Sequence, residues 1–163
     1  MKHLHEDKNQ SPNEFNQPAS IHIVMNQEVA EIIQNCIKHN IFYGVFPVVG
    51  DGMTCNDERS ITDGSGVLVF DLQLDMLKPL SALMNDIPIN EPITIALYTD
   101  SSEYTYFVDT ISFIDAVNNR IKLCPYNPSP KYGGWVSFDR IHKIYKVVQV
   151  IDKETFANRT NII

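Results

Sequence analysis

Between Pro92 and Val150 apolar residues alternate with polar ones, and turn residues return at short intervals. A period of two sends successive side chains to opposite faces, so this stretch packs as strands of a half-buried antiparallel sheet. Strands are expected at Ile93–Thr99, Tyr104–Asp115, Arg120–Cys124, Trp135–Phe138 and Tyr145–Ile151. Asp100-Ser101-Ser102, Val117-Asn118-Asn119 and the Pro/Gly loop 125–134 separate them, and these residue types suit turns for backbone reasons. The strand from Tyr104 is long enough to serve two faces. The expected architecture is α+β: residues 92–152 curl into a small, strongly bent, five-stranded barrel, preceded by a helix and a hairpin.

Upstream, Asn26 is a good N-cap, and Glu28 lies in the first turn that follows. Val29, Ile32, Ile33, Cys36 and Ile37 share one helical face, and Asn40 suits the left-handed conformation that stops a helix. Ile21–Met25 is expected to be a strand. Ile41–Val49 is expected to be a strand interrupted by a bulge at Gly44 and by Pro47, which cannot donate to a ladder. Val67–Leu72 resumes the pairing, so residues 50–66 form a long, mobile hairpin tip. Pro79 suits the first turn of a short helix reaching Asn85. The expected organisation is a disordered tail over 1–19, a helix-plus-hairpin subdomain over 20–91, the barrel, and a C-terminal tail over 153–163.

Composition narrows the function. The net charge is −7, which argues against direct binding of a phosphate backbone. No apolar run approaches the ~18 residues of a spanning helix. The polar start MKHLHEDKNQ has no secretory apolar segment. Cys36, Cys55 and Cys124 form no Cys-x-x-Cys pair, and an odd set of thiols fits a reducing compartment. A cytoplasmic protein without cofactor, metal or membrane association is expected.

Two stretches concentrate candidate binding residues. The loop 50–66 holds Asp57, Glu58, Arg59, Asp63 and Ser65. Its acidic residues lack calcium-loop spacing, and it has neither a nucleophile elbow nor the lysine of a phosphate loop. Tyr126, Tyr132 and Trp135 flank the Pro/Gly loop, where exposed aromatic side chains make interface anchors. His142, between Ile141 and Ile144, is expected to face solvent. No Cys–His or carboxylate pair is marked out by spacing as catalytic, so a non-enzyme is expected.

Ile111, Ile114, Asp115, Ile121 and Leu123, followed by Val136, Phe138, Asp139, Ile141 and Ile144, reproduce the order of hydrophobic and turn positions in a known family. The stretch 92–144 resembles the YolD-like family of small bacterial and phage proteins, and more broadly the Sm-like barrels. The short basic, Met-rich N-terminal motif of that family is missing. The resemblance implies a small bent barrel, no catalytic residues, and association with DNA-damage or defence systems. The expected function is therefore a regulatory protein acting through a protein partner, with room for a homo-oligomer. Two alternatives stay open. One is an acidic inhibitor of a nucleic-acid-binding effector, and the other is a small-molecule receptor using the loop 50–66.

Overall fold

The computed structural model describes residues 26–99 and 103–158. The expected tail at 1–19 and strand at Ile21–Met25 lie outside these residues. The first element is helix α1, Gln27–Lys38. The Asn26 Oδ1 accepts the Val29 N–H at 2.9 Å, satisfying one of the donors a helix start leaves open. At the other end Asn40 has φ 54°, the Ile41 N–H donates to the Cys36 carbonyl, and the Asn40 N–H donates to the Ile37 carbonyl. That pair of bonds is a Schellman stop, with Asn in the left-handed position. Val29, Ile33 and Cys36 are buried, as the periodicity predicts, whereas Ile37 stays exposed.

Strands β1 (Tyr43–Pro47) and β2 (Gly66–Asp71) pair antiparallel from Tyr43↔Phe70 to Pro47↔Gly66. The expected bulge at Gly44 is absent, because β1 is a short edge strand with one regular partner. A four-residue helix α2, Leu80–Leu83, follows. Then come β3 (Pro92–Tyr98), β4 (Tyr104–Asp115), β5 (Arg120–Leu123) and β6 (Gly134–Ser137). A 3-10 turn at Phe138–Arg140 leads into β7, Ile141–Ile151. The strand expected at Tyr145 thus begins four residues sooner.

The seven strands run in the order β1-β2-β7-β3-β4-β5-β6. The fold is α+β, but the sheet is open, with β1 and β6 as its edges, and it is not the closed barrel expected. Two features explain the difference. β7 pairs with β3 on one side and with β2 on the other, so the hairpin occupies a position that closure would need. β4 gives its first half to β3 and its second half to β5, with Ser112 as the extra residue between Ile111↔Leu123 and Phe113↔Lys122. Because β2 pairs along its length with β7, the boundary expected at 91/92 falls inside one continuous sheet.

The register assigns the two faces. Ile93, Ile95, Ile111, Ile121 and Ile144 meet Leu80 and Leu83 of α2, and further along the same side Val45, Leu68 and Ile151 meet Val29 and Ile33 of α1. The opposite side carries Phe46, Val67, Val69 and Tyr145, covered by Met53 and Ile61 from the loop between β1 and β2. Within the stretch expected to be a tail, Lys153–Asn158 forms helix α3, capped where the Asp152 carboxylate accepts the Thr155 N–H at 2.8 Å. Phe156 packs beside Val148 in the α1 cluster.

Two measurements test this packing. A Cβ at Gly66 would lie 2.2 Å from the Phe156 ring, so Gly66→Ala is expected to displace α3 and to cost about 1–3 kcal/mol in chemical denaturation. Adding Phe156→Ala should remove the clash and recover part of that loss relative to Phe156→Ala alone. Burial also pushes the Asp109 carboxyl up to about 6, despite the opposing bond from the Thr110 N–H at 2.7 Å. An unfolded Asp titrates near ~4. The folded state therefore holds its proton longer, so this group's contribution is fully present below pH ~4 and is lost as pH rises through 6. Asp109→Asn should stabilise the protein at pH 8 by up to about 3 kcal/mol and flatten the stability profile between those pH values.

Candidate interaction surface

The loop 48–65 is a folded cover and not the mobile tip expected from its glycines. Two apolar residues account for the change: Met53 and Ile61 are both 2 % exposed, seated among Phe46, Val67 and Tyr145. Backbone bonds close the loop around them. The Ile61 N–H donates to Met53, the Val48 N–H to Ser65, and the Gly64 N–H to Val48, all at 2.8–2.9 Å. Gly50, with φ 85°, donates its N–H to the Asp63 carboxylate at 2.8 Å. Ser65 is buried and its hydroxyl meets that of Thr62 at 3.0 Å. Asp63 and Ser65 are thus parts of the loop's own frame.

Asp57 is similarly engaged. It accepts the Arg59 backbone N–H at 2.9 Å and two guanidinium bonds, from Nε at 3.0 Å and Nη2 at 2.8 Å. The Cys55 Sγ–H donates to the same carboxylate at 3.3 Å. The Arg59 guanidinium holds the Asp57 carboxyl well below the usual range, with the Cys55 thiol adding to the effect. Glu58 is exposed and takes part in none of the ion pairs among the described residues.

The two stretches singled out from sequence meet in space. The Arg59 guanidinium lies 4.9 Å from the centre of the Tyr126 ring. The Tyr132 ring packs 3.5 Å from the position of a Cβ on Gly52, and its hydroxyl donates to the Asp51 carboxylate. Asn127 adds two bonds of 2.9 Å, from its N–H to the Gly52 carbonyl and from Nδ2 to the Asp51 carbonyl. Tyr126 and Tyr132 therefore spend part of their surface joining the loops, and burial pushes the Tyr126 phenol up while Arg59 opposes that shift.

Trp135 has different neighbours, on the second three-stranded part of the sheet. The register places Phe113, Lys122 and Trp135 in one row across β4, β5 and β6, with Asp115, Arg120 and Ser137 in the next. Both rows face away from the Ile111–Ile121 core. The Arg120 guanidinium lies over the Trp135 ring at 4.0 Å from its centroid and bonds Asp115 at 3.0 Å. Phe113 meets the Trp135 ring at a centroid distance of 6.1 Å and an angle of 89°. The Lys122 Nζ stands 5.8 Å from the same ring. Trp135 is thus clamped in one orientation yet remains 43 % exposed, and Phe113 is 57 % exposed. Sequence reasoning named Trp135 but not Phe113, Arg120 or Lys122 as its neighbours. The missing signal is the extra residue at Ser112, which turns Phe113 outward.

His142 also differs from expectation. It is the extra residue of a second bulge, between Ala96↔Lys143 and Leu97↔Ile141. Its ring stacks on Tyr104 at 4.5 Å, and Nδ1 lies 2.8 Å from the Tyr98 hydroxyl. Burial lowers its pKa, Lys143 adds to that shift and Asp71 opposes it. An open groove of about 350 Å³ lies between α1 and Phe70, and a more polar one of about 500 Å³ lies beside Gln73 and Asp86. Among the described residues no group of three or more His, Cys, Asp or Glu is placed to hold a metal ion, and no helix is long and apolar enough to cross a membrane. No protein-family model matches the chain, and no curated protein matches it.

The clamp on Trp135 has a direct optical readout, because the chain contains one tryptophan. Arg120→Ala should uncover a ring face and shift the emission to longer wavelength. The stability change should stay near the ~0.5–1 kcal/mol of an exposed cation–π contact.

Proposed function

We propose that this chain is a non-catalytic recognition protein that acts through a protein partner, with the face around Trp135 as its contact surface. The observation that carries this function is the clamped yet exposed Trp135 ring, held between Arg120 and Phe113. Trp and Arg dominate the energetics of protein interfaces, and a side chain already fixed in one rotamer loses little entropy on binding. The loop carboxylates are a poorer basis for function, because Asp57 and Asp63 already have partners within the loop. The free thiols of Cys36, Cys55 and Cys124 suit a cytoplasmic setting. The resemblance of residues 92–144 to YolD-like proteins favours a regulatory role beside DNA-damage or defence systems.

Capture from the native host with the purified protein as bait, read by mass spectrometry, tests this function. One protein should be enriched by the wild type and lost with Trp135→Ala, at unchanged thermal stability. Capture that ignores Trp135→Ala, or recovery of a metabolite with no protein, would sink the proposed function.

A further inference from the structure

Beside the Trp135 face runs an unpaired sheet edge whose bonding groups are identifiable. Among the described residues β6 pairs with β5 alone. The Phe138 N–H donates to the Asn119 carbonyl at 2.9 Å. Bonded and non-bonded pairs alternate along an antiparallel ladder, so Val136 and Gly134 bond to β5, while Trp135 and Ser137 turn their N–H and C=O groups to the open edge. The same alternation makes Lys122↔Trp135 a non-bonded pair, in which side chains approach most closely, as the contact between the Lys122 ammonium and the Trp135 ring requires.

Exposed edges are ordinarily blunted by proline, an inward charge or a covering segment. Among the described residues β6 has none of these. Its outward row instead presents an aromatic ring and a cation. Lys122 bonds no carboxylate among the described residues, although the chain as a whole carries a net charge of −7. A local cationic, aromatic strip beside a free strand edge fits an extended backbone with acidic side chains on one face.

We infer that β6 accepts an acidic, extended segment of a partner protein as an added strand, paired through the backbone of Trp135 and Ser137. An acidic side chain of that segment meets Lys122, and the adjoining backbone lies along Trp135. This inference rests on the proposed role in protein recognition and specifies its chemistry.

The geometry provides an unusually clean variant. Ser137 has φ −61° and ψ 134°, inside the range proline imposes, and its N–H points away from β5. Ser137→Pro therefore deletes one edge donor with little disturbance, which denaturation of the variant verifies. The probe is a short synthetic peptide alternating Glu and Val, followed by Trp135 fluorescence; the comparison ligands are its Lys-for-Glu counterpart and oligothymidylate. The Glu peptide should bind the wild type, the Lys peptide should not, and both Ser137→Pro and Lys122→Glu should weaken binding at least about tenfold. Amide exchange at Trp135 and Ser137 should slow when the Glu peptide is present. Equal binding to wild type and Ser137→Pro would overturn strand addition while leaving recognition at Trp135 intact. The inference would also fall if the Glu peptide did not bind, or if oligothymidylate bound in its place. Self-association abolished by Ser137→Pro would assign the edge to a second copy and would overturn it too. The broader role in protein recognition fails separately, through the Trp135→Ala capture.

Discussion

Strand β7 bonds β2 on one side and β3 on the other, and both covered faces of the protein depend on that two-sided pairing. Buried backbone N–H and C=O groups must be satisfied, and a central strand satisfies its own only with neighbours on both sides. The neighbours come from distant parts of the chain, so β7 fastens the β1–β2 hairpin to β3, β4, β5 and β6. Its extra residues at His142 and Val148 mark where its register shifts against β3 and β2, and such bulges add local twist. With β7 in place, α1, α2 and α3 cover one side of the sheet and the loop 48–65 covers part of the other.

The loop shows how burial overrides local chain character. Glycine and Asp-Gly steps favour turns, but they set no limit on what the loop's apolar residues do. Met53 and Ile61 enter a site lined by Phe46, Val67, Val69 and Tyr145, and the removal of that apolar area from water outweighs the cost of ordering the loop. Once the loop is seated, the Asp63 carboxylate faces the Gly50 N–H and the Asp57 carboxylate faces Arg59. An acidic sequence stretch has thereby become structural framework.

The Trp135 face illustrates the opposite outcome. Its Trp135 and Phe113 rings stay exposed, yet Arg120 and Phe113 hold the Trp135 ring and Lys122 stands beside it. It adjoins the β6 edge, which carries no proline and has no other strand beside it among the described residues, whereas the opposite edge strand β1 ends at Pro47. Rigidity, exposure and unspent backbone bonding capacity coincide at β6.

Local chemistry in the sequence determined α1 from Asn26 to Asn40, all seven strands to within a few residues at most ends, and the exposure of Trp135. Those features depend on contacts within a few positions: a capping side chain, a period of two or 3.6, and turn residues with tolerated left-handed backbone. Only the tertiary structure decided that the sheet stays open, that Met53 and Ile61 hold the glycine-rich loop down, that Lys153–Asn158 forms a helix packed through Phe156, and that Phe113, Lys122 and Arg120 surround Trp135. Each of these turns on which strand lies beside which, or on a single extra residue such as Ser112 reversing the side a chain faces. Such choices are settled by pairing between segments far apart in the chain, about which alternation within any one segment says nothing.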